Sequence, residues 1–87
     1  MHEIARVTKK EIYHDYDGWG LSDVYITLGN GLILNYTYPR DELFVSEGDN
    51  VELEFGPENR TVTVRAGGTS VQFYQTSPDA NFYLAGR

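Results

Sequence analysis

Seven carboxylates stand between Asp41 and Glu58 (Asp41, Glu42, Glu47, Asp49, Glu52, Glu54 and Glu58), and no Lys or Arg interrupts them. Side chains of this type can hold a cation, move protons or attract a basic surface. Their spacing narrows the choice. The one-three-five oxygen pattern of a calcium loop is missing, and paired carboxylates do acid–base work only where a deep pocket shifts their pKa values. What remains is electrostatic attraction of a partner, or a solvated face that keeps a small domain soluble and blunts edge pairing. The segment carries minus seven against a whole-chain charge of minus six, while residues 1–40 sum to minus one and residues 59–87 to plus two. A field concentrated in this way selects basic partners and repels phosphate backbones, so direct nucleic-acid binding is not expected. The basic cluster Arg6, Lys9 and Lys10 is too small for a nucleic-acid footprint.

The second group is the run Tyr13-His14-Asp15-Tyr16-Asp17-Gly18-Trp19-Gly20. Trp19 is the one tryptophan and sits between glycines, where the backbone can bend sharply and present the ring. An exposed Trp or Tyr is a common interface anchor. Two roles follow: Trp19 anchors a partner, or it folds back to cap a barrel mouth while the Asp residues make side-chain turns. The Asp15-Tyr16-Asp17-Gly18 fragment begins like a calcium loop, but Ile26 stands where the closing Glu belongs. No metal site is therefore expected. With two histidines, no cysteine, no nucleophile elbow and no phosphate loop, no catalytic residue or cofactor is expected either.

The elements that must position these groups alternate apolar and polar residues with a period of two. Val24, Ile26 and Leu28 form one strand; Leu32, Leu34 and Tyr36 return from a Gly29-Asn30-Gly31 turn. A three-residue bulged loop there puts Ile26 opposite Leu34 and Val24 opposite Tyr36 on one buried face. Val51, Leu53 and Phe55 then pair through Pro57-Glu58-Asn59-Arg60 with Val62, Val64 and Ala66. Gly67-Gly68 turns the chain so that Val64 meets Val71 and Val62 meets Phe73. Glu52 and Glu54 face outward in this register, with Arg65 opposite Glu52. Tyr25 and Tyr74 face outward as well. A first strand falls within residues 3–14, Phe82–Leu84 forms a short closing strand or a clamp, and Leu43, Phe44 and Val45 plug the core, with one 3₁₀ turn possible around Asp41–Phe44.

The expected fold is one all-β domain over residues 1–87, a small antiparallel barrel or sandwich of five to six strands in two three-stranded meanders. The Ser46-Glu-Gly-Asp-Asn-Val51 turn resembles, over those few residues, the way SH3-like and oligonucleotide-binding barrels enter a strand, and this implies architecture alone.

The function expected from these residues is non-enzymatic protein binding. Glu47, Asp49, Glu52 and Glu54 form an acidic ridge for a basic protein surface, and Trp19, Tyr16 and Asp17 anchor the contact. A small inhibitor of a nucleic-acid-acting or host-defence protein, of the kind viruses use, fits the size and acidity. The absence of an apolar leader or a spanning stretch leads to an expected cytoplasmic monomer or homodimer without membrane contact. Two alternatives stay open: an assembly subunit that oligomerises through sheet edges, with the acids merely solubilising, and a carbohydrate- or small-ligand-binding module using Trp19, Tyr16 and Tyr25.

Overall fold

The structure, a computed structural model, describes residues 2–14, 18–77 and 79–84. The period-two patterning becomes seven strands: β1 (His2–Tyr13), β2 (Ser22–Leu28), β3 (Leu32–Tyr38), β4 (Asn50–Phe55), β5 (Thr61–Ala66), β6 (Thr69–Tyr74) and β7 (Ala80–Leu84). Around the closed barrel they run β1-β2-β3-β7-β6-β5-β4 and back to β1. The two meanders are present as β1–β2–β3 and β4–β5–β6. The strand beyond the expected five to six is β7, which closes the barrel between them, antiparallel to β3 and parallel to β6.

Closure on the other side depends on β1. Its first half, His2–Arg6, pairs with β4, and Val7–Tyr13 pairs with β2. A bulge between Val7 and Lys9 bends the strand from one neighbour to the other. The extra residue also switches which side chains face inward. Ala5 and Val7 are buried before it, whereas after it Lys10 and Ile12 lie opposite the buried Ile26 and Val24.

The hairpin registers follow the hydrophobic pattern. Ile26 pairs with Leu34 and Val24 with Tyr36; Gly31, at φ 90°, donates its N–H to the Leu28 carbonyl at 3.0 Å and completes the bulged loop. Phe55 faces Val62, Leu53 faces Val64, and Val62 faces Phe73. The 3₁₀ turn occurs at Pro57–Asn59, inside the β4–β5 connection, and not around Asp41–Phe44.

Phe73, Ile26, Leu34, Leu53, Val62 and Val64 are wholly buried at the centre, and Tyr36 meets Phe73 edge-on with centroids 6.1 Å apart. Removing a ring such as Phe73 from such a core costs about 3–5 kcal/mol. Residues 39–45 cross one end of the barrel and drop Leu43 and Val45 into it as a plug. The Tyr36 hydroxyl fastens that plug by donating to the Leu43 carbonyl at 2.7 Å.

Candidate protein-binding surface

The acidic segment is spread around the barrel. Glu52 and Glu54 stand on the outer face of β4. Arg65 lies opposite Glu52 by Cα register, yet its guanidinium donates to Glu54 Oε1 at 3.1 Å. His2 Nε2 also lies 3.4 Å from the Glu54 carboxylate. Register alone would direct Arg65 to Glu52, but the guanidinium takes the diagonal partner. Glu58 pairs with Arg60 at 3.0 Å in the β4–β5 turn. Asp41 and Glu42 line a separate depression with Ser70 and Gln72 of β6, two strands or about 10 Å around the barrel from β4.

The turn acids have distinct local roles. Asp49 bends back on its own turn: its Oδ2 accepts the Ser46 N–H at 2.9 Å and its N–H donates to the Ser46 carbonyl at 3.0 Å. The same turn docks on the β1 bulge, where Gly48 N–H meets the Val7 carbonyl and Val7 N–H meets the Asp49 carbonyl, both at 2.8 Å. Asp49 therefore shapes the backbone as well as contributing charge. Glu47 Oε2 accepts the Lys10 N–H at 3.3 Å and otherwise points to solvent. Burial, the neighbouring Asp79 charge and, in opposition, Arg40 together hold Asp41 above the usual carboxylate range. Asp79 itself is bridged to Arg40 at 3.0 Å.

Trp19 stands 84 % exposed in the loop between β1 and β2, so it does not cap the barrel. Capping falls to Leu43 and Val45 instead. Tyr16 and Asp17 lie outside the described residues. Four further large apolar side chains are exposed on segments that reach the same barrel end. Ile12 and Tyr13 end β1, Tyr38 ends β3 opposite Ser22 of β2, and Phe44, 63 % exposed, sits between the two plug residues. Period two explains Phe44: with Leu43 and Val45 turned inward, the residue between them must turn out. A group of exposed aromatic and aliphatic residues on one end is the usual mark of an interaction surface.

Carboxylates of Glu11, Asp23, Asp41, Glu42 and Glu47 rim this end against Lys9, Lys10 and Arg40. The cations are already engaged. The Lys10 ammonium donates to the Val45 carbonyl at 2.7 Å, Lys9 faces Glu11 at 3.7 Å, and Arg40 holds Asp79. What the rim offers a partner is negative charge.

Sequence reasoning located Tyr25 and Tyr74 outside the barrel but missed how the tyrosines are organised. Tyr25, Asn35, Asn81 and Tyr74 form one cross-strand row over β2, β3, β7 and β6. Asn35 Nδ2 donates to Asp23 Oδ1 at 2.7 Å, and Tyr13 packs edge-on against Tyr25 at 5.8 Å. Burial, followed by a hydrogen bond to Asp23, pushes the Tyr25 hydroxyl pKa up; the bond to Glu11 does the same for Tyr13. The β3–β7 pairing, which joins Asn35 to Asn81, 46 residues away, was the missing signal.

Among the described residues no three His, Asp or Glu side chains converge on a possible metal position, and no helix is long and apolar enough to cross a membrane. No protein-family model, curated protein or solved structure matches the chain. The fold and this surface define a small closed all-β barrel with an aromatic end.

Proposed function

We propose that the protein is a non-enzymatic binding domain that docks a basic protein surface on its aromatic end. The observation that carries this reading is the exposure of Trp19 on the barrel end that also exposes Ile12, Tyr13, Tyr38 and Phe44. Large aromatics supply contact area at low conformational cost and dominate interface energetics. Glu42 and Glu47 add a negative rim that speeds association with a basic partner and rejects an acidic one. Glu52 and Glu54 stand on the β4 wall and extend the negative field around the side. A small inhibitor that occupies the basic surface of a nucleic-acid-acting or host-defence protein is the setting this chemistry favours.

Affinity capture with the intact chain, repeated with the double variant Trp19→Ala/Phe44→Ser, tests the reading. Both side chains are exposed, so the variant keeps its fold. Loss of the captured basic protein supports the proposal; equal capture by the double variant refutes it.

A further inference from the structure

The barrel is joined less securely at one seam than anywhere else. Every other pair of neighbouring strands shares four to six paired residues, but β6 and β7 share one, Tyr74 with Asn81. Past Tyr74 the chain bends away, and Gln75 Nε2 donates to the Asn59 carbonyl at 3.2 Å. Phe82, Tyr83 and Leu84 then have β3 on one side and, among the described residues, no strand on the other. A strand bonded along one side alone turns alternate backbone N–H and C=O groups outward.

A cavity of ≈ 560 Å³ lies along that side, lined by Leu32, Phe55, Phe82, Leu84, Asn59 and Gln75 among others. Its volume falls within the range of ligand sites at barrel mouths. The floor is apolar and the rim carries amides. Glu3 is the charged residue of the lining, with one carboxylate oxygen bound by Asn30 Nδ2 at 2.8 Å. Tyr83 and Leu84 are exposed at its edge. An anion gains nothing from such a lining, whereas a basic group can meet Glu3.

We infer that this seam is a second binding site, which takes an extended peptide segment of a partner protein as an added strand along Phe82–Leu84. Main-chain bonds go to the open side of β7, one aromatic or aliphatic peptide side chain enters the mouth, and a neighbouring Lys or Arg meets Glu3. Strand addition of this kind obtains affinity from the backbone and specificity from the pockets for alternate side chains. A peptide suits the site better than a compact small molecule because the open side of Phe82–Leu84 borders the cavity. The site is at the opposite end of the barrel from Trp19 and does not depend on what that end binds.

Selection of random linear peptides against the intact protein, followed by amide chemical-shift mapping and an N-methyl scan of the best binder, tests the inference. The expected peptides contain an aromatic or branched aliphatic residue close to a Lys or Arg, and they shift the amides of Phe82, Tyr83, Leu84 and Asn59. N-methylation at alternate peptide positions weakens binding by about tenfold, with little effect in between. Glu3→Gln weakens the basic peptides by about tenfold, and Trp19→Ala leaves them unchanged. The inference is overturned by failure to select a binder, by shifts confined to the Trp19 end or by indifference to N-methylation. It is also overturned if these amides respond to rising concentration of the chain itself, or to uncharged aromatic compounds alone.

Discussion

The guanidinium of Arg65 sits 3.1 Å from Glu54, although the Cα of Arg65 is paired with that of Glu52. Diagonal neighbours on a sheet face lie within reach of a long side chain, and here the diagonal contact is the one made. It leaves Glu52, flanked by Ile4 and Arg65 on the adjoining strands, as the uncompensated carboxylate of β4. A double-mutant cycle should give Arg65 and Glu54 a coupling of about 0.5 kcal/mol at low salt, decreasing as salt is added, because both side chains are substantially exposed. The cycle for Arg65 and Glu52 should give nothing measurable. A larger coupling to Glu52 would show that the guanidinium prefers its direct neighbour in solution.

Asp49 and Glu47 are two residues apart and should behave differently. Asp49→Ala removes the acceptor of the Ser46 N–H in the turn that docks on β1, and should lower stability by about 1 kcal/mol in urea unfolding. Glu47→Gln should leave the unfolding midpoint where it is. Equal effects would mean that Asp49 acts only as a surface charge.

Tyr36 couples the barrel wall to its plug. Tyr36→Phe strands the buried Leu43 carbonyl and should cost about 1–2 kcal/mol. Burial pushes the Tyr36 hydroxyl up to about 12, against the ordinary tyrosine value of 10.0 in the unfolded chain. Between those values the unfolded chain loses a proton that the folded protein keeps. This contribution is fully present below pH 10 and is lost as pH rises toward 12. The decline should be shallower in Tyr36→Phe, measured by unfolding midpoints across that alkaline range; an identical slope would remove Tyr36 as its source.

Glu58 occupies the left-handed region at φ 58° in the β4–β5 turn. A side chain there costs about 1 kcal/mol that glycine does not. Glu58→Gly should raise stability by roughly that amount, even though it removes the exposed pair with Arg60, whose worth is small. A fall in the midpoint would show that the ion pair outweighs the backbone strain.

Local rules made most of the barrel legible in the sequence. The pairs Ile26–Leu34, Phe55–Val62 and Val62–Phe73 follow from alternation and loop length, because a slip of one residue would turn each apolar set to solvent. The β1 bulge was not readable: nothing in Val7-Thr8-Lys9 announces that the facing reverses there, and Lys10 looks like a surface residue until the Val45 carbonyl is placed beside it. β7 was only half visible, since a five-residue strand gains its identity from β3, far away in sequence. The acidic run was the plainest feature of the sequence and the most altered in space, because one strand, two turns and the plug carry its members to different sides. The aromatic end emerged from the same folding, which brings Trp19 to the end that also exposes Tyr38 and Phe44.

Trp19 is the one tryptophan of the chain, so its fluorescence reports its own surroundings without interference. The most direct measurement is the emission of the intact protein titrated with the basic protein that it captures. Burial of an 84 % exposed indole in an interface should move the emission to shorter wavelength and protect it from a soluble quencher, with saturation at the stoichiometry of the complex. Emission and quenching that stay unchanged while the complex forms would contradict the assignment of the aromatic end as the contact surface.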